Sequence, residues 1–175
     1  MATVLMIIAP ERFRDEELFL TQAELEKEGH KTVIASLVKG VCPGSLGRAA
    51  TATLTLAEVK GAAYKAVVFV GGPGSKLYFS NPEALRIAKE FSGQGKVVAA
   101  ICVAPVILAN AGLLAGKQAT VFSSEIKGIE GKGAHYTGAE VTVDGNLVTA
   151  DGPKSARLFG QKIAELLQRS GTPEK

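Results

Sequence analysis

Apolar residues fall along this chain in short unbroken runs, separated by longer stretches that mix charge with spaced hydrophobic positions. Residues 2–9 form the first run, ended by Pro10, and are predicted to be a buried strand. Residues 10–16 are charged and loop-like. Glu16 to Glu28 then reads as a helix, with Leu18, Ala23 and Leu25 apolar and Gly29 as its stop. Lys31–Ser36 is a second strand. Gly40 to Val59 is undecided: Cys42-Pro43-Gly44 reads as a turn, and residues 49–56 alternate enough for short strand pieces.

The pattern then repeats. Ala66–Val70 is a third buried strand, followed at once by Gly71-Gly72-Pro73-Gly74. Asn81-Pro82-Glu83 opens a helix: Asn caps, Pro suits the first helical position, and Glu suits the positive end of the helix dipole. Val97–Ile101 is a fourth strand, with Cys102 directly after it. Pro105 to Ala111 is a short helix closed by Gly112, and Ala119–Phe122 a further strand. Residues 125–133 read as a loop. Val141 to Val148 reads as a hairpin turning at Asp144-Gly145-Asn146. Gly152-Pro153 opens a last helix, with Ala156, Phe159, Ile163 and Leu166 on one stripe. Strands alternating with helices predict an α/β protein whose parallel sheet carries helices on both faces. One domain is expected over residues 1–169, with a polar tail over 170–175.

Composition narrows the function classes. The apolar fraction is 46% with only 6% aromatic, so the core is aliphatic. Twenty basic and 17 acidic residues, interspersed, give a net charge of +3 without the dense patch that nucleic-acid binding needs. The run at residues 4–8 is too short to span a membrane and lacks the flanks of a secretory signal. The two cysteines, Cys42 and Cys102, form no metal-ligand or disulfide pattern. The expectation is a cytoplasmic protein without metal or cofactor.

In an open parallel sheet, ligands bind at the carboxyl ends of the strands. Three features meet there: the acids Glu11, Asp15, Glu16 and Glu17 after the first strand, the glycines after the third, and Cys102 after the fourth. A cysteine on a strand-to-helix turn is held out at the top of the sheet, and the helix N-terminus lowers its pKa. A small buried side chain ending a strand is the alternative. The N–H groups of Gly72 and Val103, with Gly71 beside them, would hold a developing oxyanion. One inward-facing acid would serve the thiol as acid or base; spacing alone does not choose among the four. His30 reads as structural. His135 is the auxiliary candidate for a Cys–His dyad. Cys42, beside a Pro-Gly turn, reads as a surface or half-buried thiol.

These pieces resemble the DJ-1/PfpI superfamily. Ala99-Ala100-Ile101-Cys102-Val103-Ala104-Pro105 is similar to its cysteine elbow, Gly71-Gly72 to its glycine loop, and Asp15-Glu16-Glu17-Leu18 to its acidic loop. Residues 133–137 and 146–153 resemble its C-terminal section. The resemblance implies a flavodoxin-like, doubly wound fold, usually dimeric. It also implies a Glu17–Cys102 hydrogen bond with the carboxyl protonated and the sulfur a thiolate. Four positions depart from familiar members. Val103 stands where peptidases of the family carry histidine, and Lys76 where they use an acid from a neighbouring subunit. Phe122 stands where glyoxalase members place a histidine. Asp151 replaces an arginine before Gly152-Pro153, so a more apolar and less cationic pocket is expected. The implied chemistry is Cys102- and Glu17-dependent work on small reactive carbonyls, as in a glyoxalase or deglycase. The alternatives are a non-catalytic protein whose Cys102 responds to peroxide, and a cysteine peptidase.

Overall fold

The computed structural model describes residues 1–170, without the side chain of Ser170. Eleven strands form in chain order: β1 (Thr3–Ile7), β2 (Lys31–Ser36), β3 (Gly40–Pro43), β4 (Ala49–Ala52), β5 (Leu54–Thr55), β6 (Ala66–Phe69), β7 (Val97–Ile101), β8 (Gln118–Ala119), β9 (His135–Tyr136), β10 (Val141–Asp144) and β11 (Leu147–Ala150). Five α-helices join them: α1 (Asp15–Lys27), α2 (Pro82–Gly93), α3 (Pro105–Asn110), α4 (Ile126–Glu130) and α5 (Ala156–Ser170).

Seven strands make the central sheet, in the order β10-β11-β7-β6-β1-β2-β5. All its pairings are parallel except the β10–β11 hairpin at one edge. Period-2 alternation divides each strand between two cores. Leu5, Ile7, Val67, Phe69, Val98 and Ala100 point to the face covered by α2 and α3. Val4, Met6, Val68, Ala99 and Ile101 point to the face covered by α1 and α5. With both faces buried, the strands read as unbroken apolar runs, which is why they stand out in the sequence.

Most expected elements form, with several corrections. The strand expected at residues 119–122 pairs only through Gln118 and Ala119, with His135 and Tyr136, outside the central sheet. The expected loop at 125–133 contains α4. Cys42 and Pro43 belong to β3, so the turn follows them, and Cys42 is fully buried between β3 and the core. In α1, Ala23 is exposed and Glu24 buried, because Arg157 on α5 and Lys27 pair with the Glu24 carboxylate. On α5 the buried position is Leu167, with Leu166 half-buried. That helix runs to Ser170, and the rest of the expected tail lies outside the described residues. No helix among the described residues is long and apolar enough to cross a membrane.

Candidate active site

Three loops leave the carboxyl ends of β1, β6 and β7 side by side, since these strands are adjacent in the sheet. Their backbones are tied together. Arg14 N–H donates to Gly71 O at 2.9 Å, and Gly74 N–H donates to Arg12 O at 3.0 Å. Cys102 N–H donates to Ala150 O at 2.9 Å, and Phe122 N–H donates to Cys102 O at 2.8 Å. Cys102 itself adopts φ 67°, a left-handed conformation rare for a residue with a β-carbon. Backbone bonds on both sides of the residue hold that strained turn in place. The nucleophile-elbow geometry expected from sequence is therefore present.

The first loop delivers two buried acids with different tasks. Asp15 turns toward the β3–β4 connection and accepts from Leu46 N–H at 3.1 Å and Arg48 N–H at 2.9 Å. Glu17, two residues on and fully buried, turns to the sheet top instead. Among the described residues neither Glu17 oxygen has a partner at ordinary hydrogen-bond geometry. The Cys102 thiol and the Gly71 N–H face the carboxyl at looser geometry. Gly71 is what lets them meet: a β-carbon there would lie 2.5 Å from Glu17 Oε1, 2.6 Å from Ile101 O and 2.7 Å from Cys102 Cβ. Gly72 has φ 108°, and a β-carbon on it would run into the Arg14 backbone nitrogen.

Burial pushes the Glu17 carboxyl up to about 8, so it is protonated at neutral pH. Burial, and next the charge of an ionised Glu17, push the Cys102 thiol up to about 12. The N–H groups of Val103 and Gly72 both point at the sulfur and act in the opposite direction, but more weakly. The helix N-terminus expected from sequence to favour the thiolate therefore works against the burial of the sulfur in this apolar wall. The two groups titrate as a pair.

Cys102 and Glu17 open onto a pocket of about 450 Å³, together with Gly72, Val103, Pro73, Phe122, Ser124 and Pro153. Arg12, Arg14 and Lys76 also line it, three basic side chains that the sequence reading did not place at the pocket. The signal was available: Arg12 and Arg14 lie in the same first loop as the acids. Phe122 occupies the pocket wall, as its position after the cysteine helix implied. Asp151 lies instead in an adjoining groove, where it accepts from Ser155 Oγ at 2.6 Å. No histidine lines the pocket among the described residues. His135 is exposed on β9, and His30 accepts from Ala2 N–H at the other end of the sheet. A larger concavity at that far end, beside Met1, His30 and Lys65, is lined by no thiol or hydroxyl. Among the described residues no cluster of His, Cys, Asp and Glu could hold a metal ion.

Comparison with known proteins agrees with this fold. The DJ-1/PfpI family model matches residues 2–166. An uncharacterised protein of Methanocaldococcus jannaschii is 45% identical over 97% of this chain and 84% of its own length. The deglycase PfpI of Pyrococcus furiosus is 32% identical over 94% of this chain and 99% of its own. The crystal structure of a ThiJ/PfpI domain protein from Brachyspira murdochii superposes with a TM-score of 0.94 at 32% identity, over 95% of this chain and 96% of that one. With the family model matched over nearly its whole length and the same fold in a solved relative, the chain belongs to the DJ-1/PfpI family.

Proposed function

We propose that this protein is a cysteine enzyme acting on small reactive carbonyls, in the manner of a deglycase or a glutathione-independent glyoxalase. The observation that carries the reading is the meeting of the Cys102 sulfur, the Glu17 carboxyl and two backbone N–H donors at one pocket wall. Relatives named deglycases give family-level support. Ionised Glu17 takes the thiol proton as the sulfur adds to an aldehyde carbon. The resulting alkoxide is held by Gly72 and Val103 N–H. From the hemithioacetal of an α-oxoaldehyde, Glu17 moves a proton from the first carbon to the second, leaving a hydroxyacyl thioester. Water then releases a 2-hydroxy acid and the free thiol, so the net reaction adds one water to the α-oxoaldehyde. With an amine adduct, the sulfur displaces the amine and Glu17 supplies its proton. Production of lactate from methylglyoxal, lost in Cys102→Ser, tests this reading. The homodimer expected from the resemblance is part of it.

A second reading draws on the same unpartnered carboxyl. Peroxide would oxidise Cys102 to the sulfenic and then the sulfinic acid, and protonated Glu17 would donate to the new oxygen. Cys102 faces the pocket while Cys42 is sealed in the core. Low peroxide is therefore expected to modify Cys102 first, by mass mapping, and Glu17→Leu to remove the selectivity. Equal oxidation of both thiols contradicts it. The peptidase reading has less support, because no histidine among the described residues lines the pocket and Lys76 stands where the resemblance places an acid.

A further inference from the structure

We infer that the pocket selects carbonyl compounds carrying an anionic group, a carboxylate or a phosphate, a few bonds from the reacting carbon; this rests on the carbonyl reading above. Arg12, Arg14 and Lys76 line the pocket that holds Cys102. Arg14 is engaged, its Nε 2.7 Å from Glu16 Oε2. Arg12 and Lys76 are exposed and carry no ion pair among the described residues.

Both start from fixed backbone. Arg12 sits at φ 55°, its N–H bonded to Pro43 O at 2.8 Å and its carbonyl accepting from Gly74 N–H. Lys76 lies on the helical turn Pro73–Tyr78 that Gly72 begins. Glu17 is the only acid in the pocket wall among the described residues, and it is protonated at neutral pH. Two unpaired cations beside low-dielectric walls of Val103, Phe122 and Pro153 focus a positive field on the space over the sulfur. A neutral molecule such as methylglyoxal makes no use of that field. An α-oxoaldehyde with an anionic tail places its aldehyde at Cys102 and its charge at Arg12 and Lys76, within a cavity large enough for five carbons.

Two substrates separate the anions. 4,5-Dioxopentanoate carries a carboxylate and yields 2-hydroxyglutarate; 3-phosphooxy-2-oxopropanal carries a phosphate and yields 3-phosphoglycerate. The expected kcat/KM for at least one of them is about tenfold or more above that for methylglyoxal, with the advantage shrinking as salt is added. Which one gains names the anion. Equal or lower values for both overturn the inference.

A second readout does not depend on turnover. Alkylation of Cys102 by iodoacetate and by iodoacetamide has the sulfur displace iodide from the same carbon, with and without a negative charge on the reagent. The iodoacetate-to-iodoacetamide rate ratio is expected to exceed that of free cysteine at the same pH. It should fall toward that value in Lys76→Gln and further in Arg12→Gln/Lys76→Gln. A ratio matching free cysteine in the unaltered protein contradicts the charge selection even where methylglyoxal is consumed. A raised ratio with no carbonyl turnover leaves the anion site standing and removes the enzyme reading.

Discussion

Glu17 and Cys102 meet across a gap that Gly71 alone keeps open: a β-carbon on Gly71 would lie 2.5 Å from Glu17 Oε1 and 2.7 Å from Cys102 Cβ. The carboxyl comes from the first turn of α1 and the thiol from the turn after β7, so the pair exists only once the β1, β6 and β7 loops are assembled. Gly71→Ala is accordingly expected to lower stability by about 1–3 kcal/mol, as overpacking does. It should also slow alkylation of Cys102, because the carboxyl and the sulfur must move apart. Urea midpoints and thiol-labelling rates measure the two effects separately. An alanine variant with both unchanged would mean that the gap is not a constraint.

The raised carboxyl makes a pH prediction with a definite sign. Folding moves the Glu17 pKa from an ordinary 4.5 to about 8, so between those values the folded chain holds a proton that the unfolded chain has lost. Stability contributed by Glu17 is full below about 4.5 and is lost as pH rises to about 8, roughly 5 kcal/mol across the window. Glu17→Gln should flatten that slope in denaturant titrations. The same substitution should remove the rise in Cys102 reactivity near pH 8, leaving only the thiol's own ionisation at higher pH. Identical pH profiles in the two proteins would exclude Glu17 as the partner of the thiol.

Asp15 should behave differently although it is just as deeply placed. Its two oxygens accept from Leu46 and Arg48 N–H, which ties the start of α1 to the β3–β4 connection. Asp15→Ala removes both of these hydrogen bonds to a charged acceptor and is expected to cost about 1–3 kcal/mol. Cys102 labelling at a temperature where the variant is folded should stay close to that of the unaltered protein. A large loss of labelling with unchanged stability would reverse the roles of the two acids.

These assignments show what the sequence made legible. The buried strands were visible because both faces of the sheet are covered, giving runs such as Val97–Ile101 with no polar interruption. Cys102 was visible because it ends such a run. The choice of Glu17 over Asp15 came from the family pattern, since two acids two residues apart on a helix start differ only in direction, which tertiary packing sets. The burial of Cys102 was hidden for a similar reason. A helix N-terminus can be read locally, whereas the desolvation that opposes it comes from residues distant in sequence. The short β8–β9 ladder and α4 were obscured by glycines and charges, where local preference is weak and contacts with α3 decide. Arg12, Arg14 and Lys76 were each visible as charges, but only the assembled loops bring them to one pocket.

The most direct test is lactate formation from methylglyoxal, measured with the unaltered protein and with Cys102→Ser at matched concentration and confirmed fold. The account predicts lactate production by the unaltered protein, reduced to background by a change of one sulfur to oxygen. Full activity in Cys102→Ser, or no lactate above that variant from the unaltered protein, would contradict the carbonyl chemistry assigned to Cys102.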